Sequence, residues 1–322
     1  MKKIFCAGSF VIDIYTGLIN KPVKPGGGVL SGIEVLPGGN AFNVSACLAG
    51  LGFPGGGIKC FGTVGDDNAA GFIKDAAEKL GIGCNFDVIK GGNTAKSIIL
   101  KFKEERSFIV DKGHNKGVPE QKLISGIKKD KPGIVYIGDI TGFGKESSKA
   151  VKTARSAGVL TYVDHIITGK QSTDILFSSA EGIDILHCND YEASEITGQT
   201  NPRRAVKFLM ERGFRVPVIT FGGSETVFGF DGEVYSVPVF DISCADATGA
   251  GDAFAAGLIK KTADGHNITG GPESFINAVV FGHAAGAACA AERGPARGVN
   301  IKNVNTLMTR FGSGIAQRAR RI

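Results

Sequence analysis

Short apolar, β-branched runs alternate with helix-like segments along most of this chain, and that rhythm constrains its fold more than any other feature. Candidate strands lie at Ile4–Ala7, Ile58–Phe61, Ile134–Ile137, Leu160–Val163, Ile185–Cys188 and Val218–Phe221. Helical patterns run through Ala41–Ala49, Ala69–Leu80, Lys145–Ala157 and Arg203–Arg212, with two stronger ones at Gly251–Lys261 and Pro272–Ala291. Such alternation argues for βαβ units, hence an α/β fold with a mostly parallel sheet and helices on both faces. Unbroken apolar strands fit burial on both faces. Two stretches break the rhythm. Tyr15–Leu36 is rich in Gly and Pro, and Thr94–Val110 reads as two strands around a charged turn at Lys103–Arg106. Both look like excursions, approximately 14–37 and 94–112, that pair into a small separate sheet.

At 322 residues with no internal repeat or low-complexity linker, the chain reads as one compact domain. Glycine is in excess: 48 residues, about 15% against a norm of roughly 7%. The glycines have no three-residue period, so collagen is excluded. They serve turns, tight packing or close approach of backbone to a ligand. Lys plus Arg is 37 and Asp plus Glu is 31, a formal charge of +6 that suits an anionic small substrate and is no nucleic-acid signature. The basic cluster Arg318, Arg320 and Arg321 reads as a frayed, solvated terminus. Seven scattered cysteines without a C-x-x-C pair indicate neither zinc nor a redox motif and point to a reducing cytoplasm. The longest apolar stretch, Ala278–Ala291, is shorter than the roughly 18 residues of a span, so no membrane partner is expected.

Asp246-Ala247-Thr248-Gly249-Ala250-Gly251-Asp252 stands between a strand-like run and a helix. A glycine-rich turn that feeds a helix presents unpaired N–H groups and the positive end of the dipole, which is a ready anion site. Asp252 on the first turn could take a proton from a bound hydroxyl or simply cap the helix, and spacing alone does not separate the two. There is no G-x-x-x-x-G-K-[ST], so this is no P-loop.

The run Asp246–Gly257 resembles the C-terminal signature of the ribokinase-like (phosphofructokinase-B type) carbohydrate kinases. Gly38-Gly39-Asn40-Ala41-Phe42-Asn43, continuing to Gly52, is similar to their N-terminal signature, about 200 residues upstream. The resemblance covers essentially the whole chain. It implies a Rossmann-like core, a small β-sheet lid, and ATP-dependent phosphorylation of a hydroxyl on a sugar or nucleoside. It implies Asp252 as general base and the amides of Gly249, Ala250 and Gly251 as anion hole. Asp13, Gly38, Gly39, Asn40 and Asn43 would meet the acceptor, although ribokinases commonly carry Asn where Val11 stands and Lys where Asn40 stands. Asn189, Thr220, Gly222, Gly223 and His283 match nucleotide-side positions. Glu225 replaces a usual glycine and is expected to point away from the phosphates. Glu192 would organise Mg²⁺ through water, although Asn189 and Glu192 also read as a helix capping box. The carbonyls of Asp246 and Thr248 match a monovalent-cation site, for K⁺, of some members. Gly113-His114-Asn115 and Arg106 lie by the lid. Phe10 and Val11 could wall a nucleoside base, which keeps a nucleoside kinase open as the alternative, alongside a non-catalytic regulator on the same fold. An exposed lid sheet offers an edge for a homodimer.

Overall fold

The computed structural model describes residues 2–20, 25–102, 106–114, 117–138, 140, 148–165, 170–266 and 268–322. Fourteen strands are found among them: β1 (Ile4–Ala7), β2 (Val11–Leu18), β3 (Ile33–Gly38), β4 (Ile58–Gly65), β5 (Gly83–Ile89), β6 (Ala95–Lys101), β7 (Arg106–Asp111), β8 (Ile134–Ile137), β9 (Leu160–Asp164), β10 (Ile185–Asn189), β11 (Val216–Thr220), β12 (Glu225–Phe230), β13 (Glu233–Pro238) and β14 (Arg320–Arg321). The helices are α1 (Asn40–Gly50), α2 (Asn68–Lys79), α3 (Glu120–Asp130), α4 (Ser148–Ser156), α5 (Lys170–Ser179), α6 (Asp190–Thr197), α7 (Pro202–Glu211), α8 (Ala250–Ala263), α9 (Gly271–Ala290), α10 (Ile301–Leu307) and α11 (Ser313–Gln317).

Ten strands form one sheet in the order β14-β13-β12-β11-β10-β9-β8-β1-β4-β5. From β11 to β5 neighbouring strands are parallel, and β12 to β14 add an antiparallel edge. Successive side chains leave a strand on opposite faces. Ile4 and Cys6 therefore enter the core packed by α1, α8 and α9, while Phe5 and Ala7 enter the one packed by α3, α4 and α7. Two apolar layers sandwich the sheet, as the alternating pattern required.

The second sheet runs β3-β2-β6-β7 and is built from the two excursions. Its first strand starts at Val11, before the expected boundary at residue 14, because the chain pairs with β3 as soon as it leaves the main sheet. Residues 103–105 of the charged turn, and the first residues of the expected helix from Lys145, lie outside the described residues. The β12–β13 hairpin had not been read from the sequence. Its Asp231-Gly232 turn, with φ 48° and 84°, is the usual signal for a tight hairpin.

The basic tail is a correction. Arg320 and Arg321 pair with β13, the Ile322 N–H donates to the Val234 carbonyl at 2.9 Å, and the Ile322 side chain packs on the core. Arg321 also pairs with Glu233 at 3.2 Å. The open edge of β13 supplies backbone partners that a purely charge-based reading overlooks.

Candidate active site

The site lies at the carboxyl ends of β9, β10 and β11, where ligands of open α/β sheets gather, and it is closed by the start of α8. Gly249 is the cap residue of α8 in the left-handed conformation (φ 76°, ψ 4°), and no side chain caps the helix. The Ala250 N–H is used in a turn to the Ala247 carbonyl at 3.2 Å. A helix start without a side-chain cap keeps its dipole and remaining donors for an anion.

Asp252 is therefore not the cap. Its Oδ2 accepts a hydrogen bond from Nδ2 of Asn43 on α1 at 2.8 Å, across 209 residues of sequence. Burial raises its carboxyl from the ordinary 3.8 to about 7; Asp164 and, less, Asp13 add to the rise, while Asn43 and His187 oppose it. A carboxylate poised near neutrality suits a general base. The Asn43 Oδ1 is buried without a hydrogen-bond partner among the described residues.

Asp13 is the third residue of β2 in the lid sheet, opposite Leu36 and beside Ser97. Burial raises it to about 6. Gly38 is what lets it sit there: a Cβ on residue 38 would stand 2.0 Å from Asp13 Oδ2. Gly39, at φ 91°, turns the chain into α1 against the Ser9 carbonyl, 2.4 Å from where its Cβ would be. These turns bring Asp13, Asn43 and Asp252 to one place from three separate motifs.

Asn40 is a correction. Its Oδ1 accepts from the Ser9 backbone at 2.9 Å and the Ser9 hydroxyl at 3.0 Å, and its Nδ2 donates to the Gly138 carbonyl at 2.8 Å. The amide staples the β1–β2 corner to the end of β8 rather than facing the acceptor. His283 is a second correction. It is buried in α9, its Nε2 lies 2.7 Å from the Thr226 hydroxyl, and burial lowers its pKa to about 3. It is a neutral core histidine packed on Phe254. Replacing His283 by Leu should lower the melting temperature, because Thr226 loses its buried partner at a cost of about 1–3 kcal/mol. The KM for MgATP should move by less than about twofold, read by steady-state titration, since a buried core group adds little to binding.

Of the residues expected to meet the nucleotide and its metal, Asn189 caps α6 and Glu192 returns the bond. Asn189 Oδ1 accepts from the Glu192 N–H and Glu192 Oε2 from the Asn189 N–H, each at 2.8 Å. Burial raises Glu192 to about 7, the Asn189 N–H opposes, and Asp164 adds to the rise. Thr220 ends β11, and Gly222 and Gly223 form an exposed turn with open space around them. Glu225 is turned onto the β12–β13 hairpin, where it accepts from the Ser236 hydroxyl. Asp246 knits its own turn, accepting from the Thr248 N–H at 3.0 Å and the Thr248 hydroxyl at 2.6 Å, and the Thr248 carbonyl accepts from the Cys289 thiol at 3.5 Å. His114 is clasped to Asn93, whose N–H reaches its Nδ1 at 2.9 Å. The Arg106 side chain and all of Asn115 lie outside the described residues. Phe10 is wholly buried against Phe86 and walls no cleft.

Sequence reasoning missed the floor of the site. Asp164, at the end of β9, lies 3.3 Å from His187 Nδ1 and accepts from the Tyr136 hydroxyl at 3.3 Å. His187 stands 3.3 Å from the Thr220 hydroxyl, and its ring lies 5.1 Å from Phe254 of α8. Burial pulls the His187 pKa down, but Asp164 and the other carboxylates overcome it, so the net shift is upward. The available signal was position: polar residues at the carboxyl ends of strands that are otherwise apolar.

Comparison with known proteins places this geometry. The description "pfkB family carbohydrate kinase" matches residues 1–302. Fructokinase-2 of Zea mays is 26% identical over 304 residues, covering 89% of this chain and 88% of that protein. Aminoimidazole riboside kinase of Salmonella typhimurium is 25% identical over 270 residues, covering 80% of each. A ribokinase II from E. coli, solved with ATP and Mg²⁺, superposes with a TM-score of 0.78 at 20% identity over 96% of this chain and 100% of that one. With a family match over nearly the whole length and the same fold, the chain belongs to the pfkB family of carbohydrate kinases.

Proposed function

We propose that this kinase transfers the γ-phosphoryl group of ATP to a hydroxyl of a sugar or riboside, with Asp252 as the base that accepts the hydroxyl proton. The observation that carries this reading is the Asn43–Asp252 hydrogen bond at the uncapped start of α8. It holds a carboxylate with a pKa near neutrality beside N–H donors, where phosphoryl transfer needs a base and charge stabilisation together. Asp13 and Asn43 would hold the acceptor, Gly249 and Gly251 would offer amides to the moving phosphoryl, and the open Gly222-Gly223 turn would meet the nucleotide. Mg²⁺ keeps several waters and needs only one or two carboxylates beside the phosphates. Glu192, and Asp164 whose charge adds to the rise of its pKa, would supply that pair. When bound, the ion would neutralise charge on the phosphates.

A riboside acceptor is the second reading. Around Asp13 the cleft face of the lid carries Leu36, Ser97 and, opposite Ser97, Val110, which is 59% exposed. An apolar patch there would suit a planar group attached to the sugar better than bare hydroxyls. A melting-temperature screen of free sugars, sugar acids and nucleosides, each with and without β,γ-imido-ATP and Mg²⁺, tests both. A true acceptor raises the melting point by mass action. If no compound of any class shifts it, while ATP is not consumed with any of them, the kinase reading fails.

The opposite lid face supports a homodimer. Val35, Ile14, Ile98 and Ile109 lie in one cross-strand row, with Val35 46% and Ile109 57% exposed. Ile109→Glu should then shift the sedimentation of the chain to the monomer. No helix among the described residues is long and apolar enough to cross a membrane. Seven free cysteines support the cytoplasm as the compartment.

A further inference from the structure

The loop after α9 touches both the lid and the turn before α8. On one side it grips the turn before α8. The Gly294 N–H donates to Asp246 Oδ2 at 3.2 Å, while Asp246 Oδ1 takes the Thr248 N–H and hydroxyl. Pro295 packs so closely on Gly249 that a Cβ there would be 2.9 Å from the proline ring. On the other side the loop grips the lid. Arg297 pairs with Glu34 of β3, 263 residues away in sequence. A Cβ on Gly294 would stand 3.4 Å from the Leu36 side chain of the same strand. Leu36 is the residue opposite Asp13.

We propose that residues 294–297 are a mechanical link between the lid and the anion-hole turn, with the Arg297–Glu34 pair as its latch. When β3 is docked, the latch holds Arg297 and Leu36 seats on Gly294. Gly294 and Pro295 then fix Asp246 and Gly249, whose conformation sets where the amides of residues 249–251 point. When β3 lifts, the turn loses its backing. Arg297 and Glu34 act here as positioning residues and touch no reacting atom. The pair is half-exposed on both sides, so its worth lies in where it pulls rather than in bulk stability. The idea rests on reading Gly249–Gly251 as the anion hole, but the link itself can be tested without that reading.

The test is backbone hydrogen exchange on the full chain without ligand, for Glu34→Arg, Arg297→Glu and the double charge swap. Each single variant should speed exchange about three- to tenfold in both 33–38 and 246–251, as a surface pair turned into a like-charge pair would. The double swap should return both segments to within about twofold of the parent chain, since the opposite charges then face each other again. Loosening of 33–38 alone would show a latch without a link and overturn the proposal. So would unchanged exchange in both segments, or a double swap that restores neither. Exchange is read without ligand or turnover, so the link stands or falls on these variants whether or not Asp252 is the base.

Discussion

Asn in place of Asp252 is expected to cut phosphoryl transfer by about 10²–10⁴ while leaving acceptor affinity close to normal, as removal of a general base does. The amide keeps a polar atom facing Asn43 but cannot take the hydroxyl proton. In the parent chain, kcat/KM for the acceptor should rise with pH and level off above about 7, the value to which burial and Asp164 bring this carboxyl. The same shift has a consequence for stability, with a definite sign. The folded chain binds this proton more tightly than the unfolded chain, so stability falls as pH rises from about 4 to about 7 and stays low beyond. The Asn variant has no such proton. Its melting temperature should exceed that of the parent most at pH 7 and above, and the gap should close toward pH 4. A variant that is slower and more stable fits an active-site charge kept at a cost to the fold.

Gly38→Ala should be the most damaging change of a residue that touches no reacting atom. The new methyl would occupy a point 2.0 Å from Asp13 Oδ2 and 2.6 Å from its Cγ, so the Asp13 side chain must swing away. Misplacing one acceptor-holding group by about 1 Å can cost about 10²-fold. The loss should fall mainly on the KM for the acceptor, with the KM for MgATP little changed, because Asp13 lies on the lid and away from the β11–β12 turn. Steady-state kinetics against each substrate in turn decide this. Equal losses on both would mean that the change unfolds the corner rather than displacing Asp13.

What could be read in the sequence was what lies close together in it. The GAGD turn and the GGN…N segment each lie within a few residues, so the glycine turns and the helix starts that carry Asp252 and Asn43 could be read locally, while the roles expected of them came from the family resemblance. The α/β layering was visible for the same reason: each apolar strand and each helical stripe is a local pattern. What escaped depends on partners far along the chain. Asn40 looks like a ligand group until Ser9 and Gly138, 31 and 98 residues away, are seen to use its amide. His283 looks like a nucleotide contact until Thr226, 57 residues away, claims it. Asp164 and His187 carry no local motif at all; only the parallel order of β8, β9 and β10 gathers them under Asp252. The two-residue strand β14 has no periodicity to read and exists because β13 offers an open edge. Part of the glycine excess also gained a purpose: Gly38 makes room for Asp13, and Gly249 makes room for Pro295.

The most direct test of the central claim is a ³¹P NMR record of the parent chain and Asp252→Asn with MgATP and a panel of sugars and ribosides. The parent chain should convert ATP to ADP with a new phosphomonoester on at least one acceptor, and Asp252→Asn should leave that ester undetected over the same time. A parent chain that forms no ester with any acceptor, or an Asp252→Asn chain that forms it at the parent rate, would contradict it.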